Sequence, residues 1–192
     1  MIDLVKEESY RIDAKFLEPA CGSGNFLDEI LKRKMQQVSS QFKRSILDFE
    51  RHSILAVSTL YGIDILEDNI EECRNRLLET YTEFYLNEAK SQKPGFLDAI
   101  RFIISKNIVF GDALTMNIPG TDNDNKPIKF SEWSLLGSRI KRREYIFREM
   151  LPDMELTMFM EVSDTGKPIF IPSPIKEYPL VHYLSLANND SN

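Results

Sequence analysis

The run Phe16-Leu17-Glu18-Pro19-Ala20-Cys21-Gly22-Ser23-Gly24-Asn25-Phe26-Leu27 constrains the fold more than any other stretch of the chain. An apolar segment ends in an acid, crosses a turn of small residues and opens into a helical pattern. A turn of Ala, Gly, Ser and Gly lets the backbone approach a ligand closely, because no large side chain stands in the way. The helix that follows aims its free N–H groups at whatever lies over the turn. Strand, glycine turn and helix in this order predict a nucleotide-type cofactor site at the end of the first strand of an α/β sheet.

Two common versions of such a turn are excluded. A dinucleotide fingerprint needs a third glycine where Leu27 stands, and a P-loop needs Lys-Ser/Thr where Asn25-Phe26 stand. The wording Glu-Pro-Ala-Cys-Gly-Ser-Gly-Asn-Phe-Leu resembles motif I of the class I S-adenosylmethionine (AdoMet) methyltransferases. It is especially similar to the amino-methyltransferases that modify adenine in DNA within restriction–modification systems. The resemblance implies AdoMet as cofactor, with Glu18 and the segment Ala20, Cys21, Gly22 and Gly24, followed by Phe26, around its methionine end.

Two further positions suit a ligand lying across the carboxyl ends of parallel strands. Tyr61-Gly62-Ile63-Asp64-Ile65 reads as a short buried strand ending in an acid, where ribose hydroxyls would be met and Ile65 would pack on adenine. Asp64 stands about 40 residues after Gly24, against about 20 in a simple dinucleotide unit; an inserted helix over Phe42 to Leu60, with Ile46, Phe49, Ile54 and Val57 inward, accounts for the excess. The other reading of Asp64 is a solvated acid at a strand end. Asn107 to Phe110 reads as a third strand, running into Gly111-Asp112-Ala113-Leu114. The resemblance implies that Asp112, beside Ala113, accepts the adenine amine; the other reading is a turn-capping Asp.

Elsewhere, Met1 to Glu8 reads as the end of a helix before a strand near Ala14 to Leu17, and Asn25 to Met35 as a helix. Asp68 is expected as an N-cap, three residues before Glu71, for a helix with the stripe Ile70, Cys73, Leu77, Tyr81 and Phe84. A helix with Phe96, Ile100, Ile103 and Ile104 follows the Lys93-Pro94-Gly95 break. After Met116 come a polar loop (Pro119 to Pro127), Phe130-Ser131-Glu132-Trp133 and the basic stretch Arg139 to Arg143. That stretch suits phosphate contacts or a solvated face, and Trp133 and Tyr145 suit base stacking or the core. A hairpin is expected from Leu156 to Val162 and Pro168 to Ile171, turning at Ser163 to Gly166, with a disordered end from Asn188 to Asn192.

The expected fold is therefore α/β, a Rossmann-like class I methyltransferase domain. It has a parallel sheet with helices on both faces, incomplete in this chain, and a C-terminal β-hairpin. Residues 1–150 form the AdoMet-binding, methyltransferase-like domain, and 151–192 a hairpin and tail packed on it.

What the sequence lacks is equally informative. Adenine methyltransferases of this kind hold the flipped base with an Asn/Asp-Pro-Pro-Tyr/Phe loop, and no such loop occurs between Met116 and Asn192. Cytosine C5 chemistry would need a nucleophilic cysteine in a later Pro-Cys, and the only cysteines are Cys21 and Cys73. A Phe-x-Thr-Pro segment before motif I is absent as well. With 30 acids against 24 Lys and Arg, the net charge is −6, so any contact with DNA is expected to be local or supplied by a partner subunit carrying the catalytic loop and target recognition. His52 and His182 have no ligand cluster around them, so no metal is expected; the absence of an apolar span and of a disulfide framework predicts a cytoplasmic protein. The expected function is the AdoMet-binding part of an adenine-specific DNA methyltransferase. The alternatives are a non-catalytic AdoMet-binding or assembly subunit, and a methyltransferase acting on protein or a small molecule.

Overall fold

The computed structural model describes residues 5–89, 93–120, 126–150, 161–162, 168–169 and 172–189. A short helix α1 (Lys6–Ser9) leads into β1 (Phe16–Glu18), and two helices, α2 (Asn25–Phe42) and α3 (Ile46–Ser58), lead on to β2 (Leu60–Asp64). Helices α4 (Glu67–Glu88) and α5 (Phe96–Asn107) then precede β3 (Ile108–Phe110). The three strands pair in parallel in the order β1-β2-β3, with Glu18 opposite Gly62 and Asp64 opposite Phe110.

The connecting helices α2 to α5 share one core against one face of the sheet, as right-handed crossovers between consecutive neighbours would place them. On that face Leu60 joins α2 to α5 in one continuous core, and Gly62 lies against Leu27 and Cys21. The opposite side chains of β2, Tyr61 and Ile63, belong to a second cluster with Ile128, Phe130 and Phe147. The expected α/β fold with a parallel sheet is present, but the second face meets Phe130 and Phe147 rather than the long connecting helices. An antiparallel sheet covers the second face instead.

That sheet comes from the region after Met116. Strands β4 (Lys129–Leu136) and β5 (Arg139–Ile146) form a hairpin, followed by α6 (Phe147–Met150). Two residues, Gly137 and Ser138, make its turn, and Gly137 has φ +61° where a two-residue hairpin favours glycine. Strands β8 (Lys176–Glu177) and β9 (Val181–His182) both pair with β5. Of the expected terminal hairpin, β6 (Glu161–Val162) and β7 (Pro168–Ile169) pair antiparallel, while its turn at 163–166 lies outside the described residues. A terminal 3-10 helix (Tyr183–Asn189) includes Asn188, the first residue of the expected disordered end, and 190–192 lie outside the described residues.

Local chemistry fixes the boundaries. Ser45 caps α3 by accepting the Asp48 amide at 3.3 Å, so the expected helix over Phe42 to Leu60 starts later, and Ile46 in its first turn is exposed rather than inward. Asp68 is not an N-cap: α4 begins at Glu67, with Leu66 in the cap position. The expected stripe of α4 holds, with Tyr85 fully buried and Phe84 half-buried beside it. Trp133 is a core residue, donating its indole N–H to Asn107 Oδ1 at 2.9 Å. Arg142, within the basic stretch, is buried as well, bonded to Ser131 Oγ and Glu144 beneath the Tyr178 ring.

Candidate cofactor-binding site

The carboxyl ends of β1, β2 and β3 open on one cleft of about 410 Å³, lined by Pro19, Ala20, Asp64, Ile65, Gly111, Asp112, Ala113 and Leu114. This volume falls in the range of about 300–1,000 Å³ typical of small-molecule sites. Ala20, Asp64, Ile65, Asp112 and Ala113, singled out in three separate parts of the sequence, meet here. Pro19, Gly111 and Leu114 complete the lining.

Asp64 organises the cleft floor. Only 8 % exposed, its carboxylate accepts the Gly22 amide at 2.8 Å through Oδ2, and the Leu66 amide and the Asn69 side-chain amide at 3.0 Å each through Oδ1. Burial pushes this carboxyl up, but the bonds from Asn69, Leu66 and Gly22 outweigh it and hold the group below its ordinary value. A solvated strand-end acid is therefore excluded. One acceptor position remains on Oδ2.

The turn between β1 and α2 is held from several sides. Cys21 N–H donates to Ile63 O, Gly24 N–H to Cys21 O, and Arg76 Nε to Ser23 O, at 2.8 to 2.9 Å. Gly22 (φ +51°) and Gly24 (φ +85°) both take left-handed backbone. At Gly24 the requirement is doubled: a β-carbon there would come within 2.6 Å of Cys73 Sγ on α4. The side chains of Cys21, buried, and Phe26, half-buried, pack in and against the core, and neither is among the lining residues. Gly24 is buried and is not among the residues lining the cleft.

Asp112 closes its own turn, accepting the Leu114 amide at 2.9 Å and the Thr115 hydroxyl at 3.0 Å. The bond from Leu114 heads the causes that draw its carboxyl below the ordinary value. Asn117 pairs with both Asp112 and Pro127, and Met116 takes φ +60° to bring the chain round. The side chain of Glu18, at the end of β1, makes no hydrogen bond or ion pair among the described residues, and the residue is half-buried.

Apolar surface faces this polar frame. Ile65 is 56 % exposed and Leu114 93 % exposed, one after β2 and the other after β3. Leu17 on β1, 41 % exposed, marks where the antiparallel sheet stops covering the second face, and no described strand pairs with the outer edge of β1. Sequence reasoning missed Leu114 and Asn69. An apolar residue following Gly-Asp-Ala at a strand end was a readable signal for Leu114, whereas the role of Asn69 depends on where α4 starts.

The basic stretch presents less free charge than its sequence suggests. Lys141 and Arg143 both pair with Glu177, and Arg142 with Glu144. Among the described residues no group of three or more His, Cys, Asp or Glu is placed to hold a metal ion, and no helix is long and apolar enough to cross a membrane. No protein-family model, curated protein or solved structure matches the chain.

Proposed function

We propose that this chain is the AdoMet-binding part of an adenine-specific DNA methyltransferase of a restriction–modification system, completed by a partner that supplies the base-holding loop. One observation carries the reading. Ala20, Asp64 with Ile65, and Asp112 with Ala113 line a single cleft at the ends of three adjacent parallel strands.

The residues present suit the cofactor. The carboxylate of Glu18, without a partner among the described residues, offers one for an ammonium group, and the remaining acceptor position of Asp64 Oδ2 offers one for a ribose hydroxyl. Ile65 and Leu114 offer apolar surface to a purine ring. Asp112 keeps lone pairs beyond those used in its turn for an exocyclic amine. When bound, AdoMet supplies an electrophilic methyl group. The contribution of this chain is to orient the cofactor, not to hold the base.

The second reading, a non-catalytic AdoMet-binding or assembly subunit, is favoured by the absence of any Asn/Asp-Pro-Pro-Tyr/Phe sequence from the 192 residues. Labelled-methyl transfer from AdoMet to unmethylated DNA separates the two. The leading reading expects transfer only when the products of neighbouring genes are added. Transfer by the chain alone overturns the need for a partner, and no transfer in either assay, with AdoMet bound, favours the second reading.

A further inference from the structure

Asp64 uses its two carboxylate oxygens unequally. Oδ1 accepts two bonds at 3.0 Å each, from the Leu66 amide and from Nδ2 of Asn69, whereas Oδ2 accepts one, from the Gly22 amide at 2.8 Å. A carboxylate oxygen takes about two donors, so Oδ1 is full and Oδ2 keeps one position. The two donors on Oδ1 differ in kind. The Leu66 amide lies two residues on, in the extended residue before α4, and the course of the backbone alone puts it there. Asn69, half-buried in the first turn of α4, reaches back five residues with its side chain. A neutral amide donates to the carboxylate without bringing a charge that would compete with a ligand.

The rest of the cleft offers a ribose little else. Among the lining residues only Asp64 and Asp112 have polar side chains, and the proposed function gives Asp112 to the purine amine. Asp64 lines the cleft with only 8 % of its surface exposed, which leaves little of the carboxylate for a ligand to reach.

We propose that Asn69 is a positioning residue: by holding Asp64 Oδ1 it leaves Oδ2 alone to meet the ligand, so the site reads one of the two ribose hydroxyls and ignores the other. The inference rests on the proposed function, because the ribose it concerns is that of AdoMet. The bound hydroxyl donates to the same oxygen that holds the Gly22 amide, so the ribose and the turn after β1 meet on one atom. The other hydroxyl stays in water. Removing the bound hydroxyl leaves an ionised acceptor in the cleft without its donor, the situation in which a site discriminates strongly. Removing the solvated one changes little.

The test is calorimetric titration of the full chain with AdoMet, its 2′-deoxy analogue and its 3′-deoxy analogue, repeated on Asn69→Ala. In the parent, one analogue is expected to bind about tenfold or more weaker than AdoMet and the other within about twofold of it. In Asn69→Ala, Oδ1 regains an acceptor position and the carboxylate can turn to meet both hydroxyls, so the ratio between the two analogues is expected to fall toward one. Equal losses for both analogues in the parent, or no loss for either, overturn the single-hydroxyl reading. A uniform weakening of all three ligands in Asn69→Ala, with the ratio kept, overturns the positioning role. No binding of AdoMet by the parent overturns the proposed function and this inference with it.

Discussion

The Asp64 carboxylate accepts the Gly22 amide at 2.8 Å, so the end of the second strand sets the shape of the turn that follows the first. Asp64→Ala leaves the Gly22 and Leu66 amides and the Asn69 side chain without this acceptor, at a cost of about 2–3 kcal/mol. Asp64→Asn keeps one acceptor oxygen and loses less. Urea unfolding of the three proteins at pH 7 checks the order. The folded carboxyl lies below its ordinary value of 3.8, so its contribution is present in full above that value. As pH falls through the folded value the contribution is lost, and the gap between the parent and Asp64→Asn narrows.

Gly24→Ala meets two obstacles, the left-handed φ of +85° and Cys73 Sγ 2.6 Å from the added carbon. Strain of both kinds predicts a loss of about 2–4 kcal/mol. Adding Cys73→Ala removes the sulfur but not Cys73 Cβ and Cα, which stand 3.1 and 3.2 Å away, so rescue is partial. A double-mutant cycle from denaturant unfolding gives a coupling between the two sites. Additive effects would show that the contact is unimportant.

Much of the site could be read from local sequence because its chemistry is local. The glycine turn, the acid ending β2 and the Gly-Asp-Ala after β3 each sit at the end of a short apolar run, and a parallel sheet has to bring such ends together. The second face could not be read the same way. Arg142 lies in a basic stretch that resembles a solvated surface, yet Ser131 and Glu144 satisfy it and Tyr178 covers it. Those partners come from three segments that only the β4–β5 pairing and the returning C-terminal strands assemble. Asp68 failed as a cap for a related reason. Asp64, four residues earlier, already takes the Leu66 amide at the start of α4.

Lys34 is fully buried on α2, donating to Ile12 O, Ala14 O and Thr59 Oγ1, and burial lowers its ammonium to about 7, opposed by Asp13. Between about 7 and the ordinary value of 10.5 the unfolded chain keeps a proton that the folded one gives up. Unfolding therefore takes up a proton, and this group makes stability rise with pH across that window. Relative to Lys34→Met, the parent is expected to gain stability from pH 7 to pH 9. Chemical denaturation of both proteins at the two pH values reads the difference, and a constant gap contradicts it.

Glu50 on α3 is fully buried and accepts bonds from Tyr85 (3.2 Å), Tyr183 (2.9 Å) and Lys93 (2.6 Å). It thereby joins α3, α4, the entry to α5 and the terminal 3-10 helix. Removing one member of a fully buried pair costs about 3–5 kcal/mol, but the Lys93 side chain, 38 % exposed, can return to water. Glu50→Ala is expected to cost about 2–4 kcal/mol, and Tyr183→Phe about 1 kcal/mol. Hydrogen exchange checks the linkage: amides of the terminal 3-10 helix should lose protection in both variants before those of β2.

The central claim is that the ends of β1, β2 and β3 form one AdoMet site, and calorimetric titration of the full chain with AdoMet tests it most directly. Ile65→Asp and Leu114→Asp place a charge on exposed apolar positions of the cleft, so both should leave folding intact. The account predicts saturable one-to-one binding by the parent and affinities weaker by about tenfold or more in each variant. No saturable heat from the parent, or equal affinities in all three proteins, would contradict it.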